Sequence, residues 1–164
     1  MKRVEIKQLL TAGIADSEVL VKAWVKTKRG SKNVSFIALN DGSCMDNIQV
    51  VVDNGNFDES TLENINSGAC LSVKGKLVES QGSGQQFEIH ATEVELLGAA
   101  HPDEYPIQPK KHSLEFLREN AHLRFRTNTF GAVSRIRHAM IFAVHQFFND
   151  RGFYNIHTPI ITAS

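Results

Sequence analysis

Between Val19 and Leu97 the apolar residues keep a period of two in five short runs, and a single stretch breaks it. "VLVKAWVKTKR" (Val19 to Arg29) places Val19, Val21, Ala23 and Val25 on one face, as a half-buried strand requires. After the turn signal "GSKN" comes "VSFIALND" (Val34 to Asp41), closed by Asp41-Gly42. "NIQVVV" (Asn47 to Val52) is a third strand. The exception follows. "FDESTLENINSG" (Phe57 to Gly68) has Asp58 as a cap, acids in its first turn, Leu62 and Ile65 on one face, and a terminal glycine, which predicts a helix. "ACLSVKGKLVES" (Ala69 to Ser80) and "QQFEIHATEVELL" (Gln85 to Leu97) restore the strand period around a flexible "QGSG".

Three strands, a helix and two strands within about a hundred residues is the element order of the OB-fold. This five-stranded Greek-key barrel binds oligonucleotides or oligosaccharides on the face of its second and third strands. A short helix over Val4 to Leu10 precedes it. Residues 1–97 are therefore read as one all-β domain.

The rest of the chain has another character. Residues 98–112, "GAAHPDEYPIQPKKH", hold three of the four prolines and predict a hinge with no packed element. "SLEFLREN" (Ser113 to Asn120) is a short helix capped by Ser113. "TFGAVSRIRHAMIFAVHQFFNDRG" (Thr129 to Gly152) is a long amphipathic helix. Its stripe of Val133, Ile136, Met140, Val144 and Phe147 needs a partner surface. "FYNIHTPIIT" (Phe153 to Thr162) reads as a strand with no later partner. The domain plan is 1–97 barrel, 98–128 hinge, 129–164 start of a second domain.

Composition narrows the function. No apolar run reaches the ~20 residues of a membrane span, and "MKRVEIKQLL" is no signal peptide. Cys44 and Cys70 are the only cysteines and form no metal-like pair, which fits a reducing, cytoplasmic setting. The net charge is zero but uneven. Residues 1–40 carry eight Lys/Arg against three acids, whereas residues 41–105 carry twelve acids against two lysines. The first third thus presents cations to a polyanion, although a solvated lysine face has the same composition.

No complete catalytic or metal site emerges. His138 and His145 share a helix face but have no carboxylate or cysteine at ligand spacing. "GSGQQ" lacks the lysine and following helix of a phosphate cradle. The barrel strands are more informative. Phe36 alternates with Val34 and Ala38, and is either a core side chain or a stacking platform for an unpaired base. Lys28 and Arg29 end the first strand near it and offer contacts to phosphate or a base edge. Gln49 and Glu88 bring the mixed donors and acceptors that base edges need, or are solvated surface.

These residues resemble a known family. "VKAWVKTKRGSKNVSFIALNDGS…NIQVVV" resembles the anticodon-binding domain of the aspartyl, asparaginyl and lysyl tRNA synthetases, a class II subgroup. "YPIQPKKHSLEFLRENAHLRFRTNTFGAVSRIRHAM" is similar to the hinge and first catalytic-domain helix of its asparagine branch. "FFNDRGFYNIHTPIITAS" resembles motif 1, a helix and then a strand ending near an invariant proline, here Pro159. The connection "GSCMDN" between the second and third strands is longer than the family pattern.

The resemblance implies an OB-fold followed by a hinge and by the helix and strand that start a class II α+β catalytic domain. It implies that Phe36 stacks on the central anticodon uridine and Gln49 bonds it. Arg29 lies beside these nucleotides, and Glu88 reads the first anticodon base. It also implies a homodimer through motif 1, here Ile136, Met140, Val144, Phe147 and Pro159. The parent activity is ATP- and Mg2+-dependent ligation of asparagine to tRNA(Asn) in the cytoplasm. The ATP and amino-acid motifs are expected beyond Ser164, so the 164 residues alone are expected to be inactive, with no catalytic residue, metal or cofactor. Two other readings are a stand-alone tRNA- or single-strand-binding module and an aspartyl enzyme of relaxed specificity.

Overall fold

The computed structural model describes residues 1–82 and 84–161. The alternating runs become five strands: β1 (Glu18–Gly30), β2 (Val34–Asn40), β3 (Ile48–Asp53), β4 (Cys70–Glu79) and β5 (Phe87–Gly98). They close into a barrel in the order β1-β2-β3-β5-β4, with β4 returning to β1. Neighbouring strands are antiparallel except β3 and β5, which run parallel through Gln49–Glu88, Val50–Ile89 and Val51–His90. This is the Greek-key barrel that the element order predicts.

β1 is long enough to serve both of its neighbours. Glu18 to Trp24 pair with β4, and Trp24 to Gly30 pair with β2. A bulge between Val25 and Thr27 separates the two halves. The inward face of the barrel carries Val19, Val21, Ala23, Val25, Ile37, Leu39, Ile48, Val50, Val52, Leu71, Val73, Leu77 and Ile89, all buried. Each large aliphatic side chain buried in this way is worth about 1.5–3 kcal/mol. Helix α1 (Ile6–Ala12) adds Ile6 and Leu9 to the same core, and helix α2 (Glu59–Glu63) adds Leu62. Gly75 sits at a second register shift, where β4 crosses β5. A Cβ there would lie 2.2 Å from the His90 carbonyl oxygen, so only glycine lets the strands approach this closely.

Two expectations need correction in this unit. The helix predicted over Phe57 to Gly68 is only five residues long, preceded by a 3-10 turn at Asn54–Asn56. Small polar side chains compete with the helix here. The Asp58 carboxylate accepts from the Ser60 hydroxyl instead of capping an amide, and Asn64 Nδ2 donates back to the Ser60 carbonyl at 2.7 Å. The proline-rich segment, read as unpacked, is packed. Ile107 is buried, Gln108 Nε2 donates to the Pro102 and Tyr105 carbonyls, and the Tyr105 ring fills the space where a Gly68 side chain would stand. Helix α3 (Leu114–Glu119) follows, its first turn capped by Ser113 Oγ at 3.2 Å from the Phe116 nitrogen, with Leu117 buried.

The chain divides into two compact units, Met1–Leu123 and Arg124–Ser164. The second begins with a 3-10 turn at Arg124–Arg126 and continues as helix α4 (Asn128–Asn149), capped by Thr127 Oγ1. The Arg124 guanidinium lies 4.6 Å above the Phe130 ring. The predicted stripe is present and exposed along α4. The strand predicted over Phe153 to Thr162 is not formed in its described part. Phe153 to Ile161 carry no ladder, and the Phe153 and Thr158 amides bond only to local carbonyls. A strand needs a partner edge for its backbone groups, and none of the described residues supplies one. Thr162 lies outside the described residues.

Candidate nucleic-acid interface

The outward face of β2 carries Val34, Phe36 and Ala38, while Ser35, Ile37 and Leu39 point inward. Phe36 is therefore not a core side chain, and its ring borders a cleft instead. Opposite it on β1 stands Arg29, and on β3 Val51. Ala38 is flanked by Thr27 and Gln49.

The bulge decides which end of β1 joins this face. Upstream of it, odd-numbered residues point into the core; downstream, Thr27 and Arg29 point outward with Ala38 and Phe36. One inserted residue shifts side-chain parity. Without it Arg29 would face the core side, which its charge forbids.

The same shift takes Lys28 away from the site. It pairs with the inward-facing Ile37, and its ammonium donates to the Leu62 carbonyl. Burial pushes the Lys28 ammonium below its usual range, partly offset by the nearby Glu63 carboxylate. The expectation that Lys28 stands beside Phe36 is thus corrected. Adjacent residues on a strand point to opposite faces, so only one of Lys28 and Arg29 can be there.

Arg29, Gln49 and Glu88 are brought together as expected. Arg29 Nη2 donates to Gln49 Oε1 at 3.2 Å, and Gln49 Nε2 donates to Glu88 Oε2 at 3.2 Å. Parallel pairing of β3 with β5 sets Gln49 directly beside Glu88. The Glu88 side chain is only 12 % exposed, and it also meets Ser80 Oγ, Gln85 Nε2 and His90 Nε2. These last three were not singled out from the sequence. Gln85 read as the first residue of the fifth strand, and Ser80 as the last of the fourth.

The cleft has a volume of ≈ 540 Å³ and an open form. Phe36, Ala38, Thr27, Arg29 and Gln49 form its floor, and Asn47, Gln85 and Gln86 rise from the β2–β3 and β4–β5 loops. A half-buried ring beside a guanidinium fork, an amide and a carboxylate suits a flat heterocycle, which can stack on the ring and exchange hydrogen bonds at its edge. The carboxylate disfavours phosphate at the same point and favours an edge with N–H donors. In the second unit Ile136, Met140, Val144, Phe147 and Pro159 are all exposed.

Comparison with known proteins places both units. The OB-fold nucleic acid binding domain family matches residues 19–97, the barrel itself. The class II (D, K and N) tRNA synthetase family matches residues 113–164. An asparagine–tRNA ligase of Bacteroides fragilis is 58% identical over all 164 residues, and one of Cytophaga hutchinsonii is 55% identical over 166. Over its full length the chain is thus similar to asparagine–tRNA ligases, and its last third matches the class II (D, K and N) tRNA synthetase family. It spans about a third of the length of these curated synthetases, 35% and 36% respectively, while all of it is aligned. In fold it is similar to an asparaginyl-tRNA synthetase of Pyrococcus horikoshii, with a TM-score of 0.84 over 98% of this chain and 38% of that one, at 22% identity. An aspartyl tRNA synthetase of Entamoeba histolytica gives 0.79 over 99% and 40%, also at 22% identity. The synthetase fold is thus common to relatives of different amino-acid specificity, and the stronger sequence likeness lies with the asparagine ligases.

Proposed function

We propose that this chain is the anticodon-recognition part of an enzyme that joins asparagine to tRNA(Asn). The observation that carries the reading is the cluster on the barrel's outer face. Arg29, Gln49 and Glu88 are linked hydrogen bond to hydrogen bond beside the half-exposed ring of Phe36. The 53–58% identity to relatives called asparagine–tRNA ligase supports the choice of amino acid.

Phe36 stacks on the central anticodon uridine. Gln49 offers that base its remaining amide proton and carbonyl lone pair, the others being used by Glu88 and Arg29. Glu88 accepts from the first anticodon base, and Arg29 adds positive charge beside both. Gln49 is held from two sides before any base arrives, which lowers the ordering cost of binding.

The whole enzyme uses ATP and Mg2+ to activate the asparagine carboxylate, and the terminal ribose of the tRNA then takes the acyl group. Among the described residues no group of three His, Cys, Asp or Glu side chains is placed to hold a metal ion, so no step of that chemistry is assigned to them. The enzyme works in the cytoplasm as a homodimer joined through the exposed stripe of α4 and Pro159. No helix of the described residues is long and apolar enough to cross a membrane.

Binding of labelled anticodon stem-loops to the 164-residue chain tests the reading. A stem-loop with uridine at the centre should bind more tightly than one with cytidine there. Equal affinity for the two, or for an unrelated hairpin, refutes anticodon recognition by this face.

A further inference from the structure

The Glu88 carboxylate is unequally used. Its Oε2 receives Gln49 Nε2 at 3.2 Å, Ser80 Oγ at 3.1 Å and Gln85 Nε2 at 3.3 Å. A carboxylate oxygen has two lone pairs, so three donors saturate it. The partner shown for Oε1 is His90 Nε2 at 3.2 Å, on a side chain 57% exposed. Arg29 reaches the carboxylate only through Gln49.

The Ser80 hydroxyl is itself fully engaged. Its oxygen accepts from the Gly82 amide at 3.2 Å and from Gln85 Nε2 at 3.2 Å, which leaves its single proton directed at Glu88. Ser80 is anchored in turn by its amide, which donates to the Gln86 carbonyl at 3.0 Å. Ser80, Gln85 and Glu88 therefore form a closed triangle at the β4–β5 turn, and a fully satisfied network of this kind is rigid.

We propose that Ser80 and Gln85 are positioning residues that lock the Glu88 carboxylate so that Oε1 alone is offered to a base. Their effect is to make that position selective for guanine over adenine. The inference rests on the anticodon-binding reading above. Guanine presents N1–H and N2–H donors on its pairing edge, which a fixed acceptor receives. Adenine presents the N1 acceptor there, and two acceptors face to face repel. A carboxylate free to rotate, or to draw in water, loses part of that discrimination because its orientation is no longer prepaid. His90 Nε2, 3.2 Å from Oε1 on an exposed side chain, is the neighbour that a base at Oε1 must displace or share.

The test uses four anticodon stem-loops and the 164-residue chain. The stem-loops carry guanine or adenine at the first anticodon position, and uridine or cytidine at the centre. The unaltered chain should prefer guanine and uridine. The double variant Ser80→Ala/Gln85→Ala should lose about threefold or more of the guanine preference, the scale of one modest hydrogen bond. Its uridine preference should stay within about twofold, since Gln49 remains held by Arg29. Ser80→Thr, which keeps the hydroxyl, should retain the guanine preference. If the double variant melts early, Ser80→Ala and Gln85→Ala are read singly by the same two ratios. An unchanged guanine preference in folded variants, or an equal fall of both preferences, overturns the positioning role alone. Absence of any base preference in the unaltered chain overturns the anticodon reading and this inference with it.

Discussion

Phe36 is the residue on which the interface turns, and its exposure makes a clean measurement possible. Because the ring lies outside the core, Phe36→Ala should leave the fold intact and weaken stem-loop binding by about 1–3 kcal/mol, the worth of one stacked base. Affinity unchanged in titration calorimetry would deny the ring that role. Gln49→Ala should act on preference more than on affinity, because base-edge contacts specify and phosphate contacts position. Lys28→Ala should leave the salt dependence of binding unchanged, since the ammonium is spent on the Leu62 carbonyl at the end of α2. A shallower salt slope in this variant would show instead that Lys28 reaches phosphate. The contrast marks what single residues reveal in the sequence. The alternation of Val34, Phe36 and Ala38 fixes that these three share a face, whereas nothing in "KTKRG" tells which of Lys28 and Arg29 joins them.

Elements were legible where the period was long and uninterrupted. All five strands sit within two residues of their expected bounds, because hydrophobic alternation and the closed sheet demand the same thing. The bulge was not legible. No glycine or proline marks Val25 to Thr27, and only pairing with β2 reveals the extra residue. α2 fell short because serine and asparagine side chains bond its backbone or its cap locally. Equally hidden was the tie between α1 and the β2–β3 loop, made by the Asp41 side chain, which is 2% exposed. Its Oδ2 accepts from the Ile6 amide at 3.0 Å, and Oδ1 from Ser43. Burial alone would raise the Asp41 carboxyl, but bonds from Ser43, the Ile6 amide and Arg3 outweigh it and hold it below the usual carboxylate range. A depressed carboxyl contributes stability that is present above its unfolded value, near 3.9, and lost as pH falls through the folded value. Urea titrations should therefore show stability falling below about pH 4, with a flatter fall in Asp41→Asn. Asp41→Ala at neutral pH should cost about 1–3 kcal/mol, from the Ile6 amide left unpaired. An identical acid slope in Asp41→Asn would place the acid sensitivity elsewhere.

At the scale of the whole molecule the open account is the apolar surface of the second unit. Val133, Ile136, Met140, Val144 and Phe147 are each more than half exposed, and Ile141, Phe142 and Phe148 are exposed beside them. Beyond α4, Phe153, Tyr154, Ile156, Ile160 and Ile161 are exposed as well. Contiguous apolar surface of this kind marks an interaction site in soluble proteins. Leaving the five stripe residues wet forgoes about 1.5–3 kcal/mol for each that burial would return. A second copy is the simplest cover, because a two-fold axis sets the same stripe against itself. The 18.3 kDa chain should then scatter light as a species heavier than a monomer, with a mass that falls on dilution. Ile136→Asp with Met140→Asp puts charge into the middle of that contact and should return a monomer. The barrel lies in the other compact unit, with its core complete among its own residues, so the same variant should keep its affinity for an anticodon stem-loop. A monomer at every concentration in the unaltered chain would show that α4 is not covered by a second copy. Loss of stem-loop binding in the aspartate variant would show that dimer and anticodon recognition are coupled. Separate responses, mass changing while affinity holds, are what two independent units require.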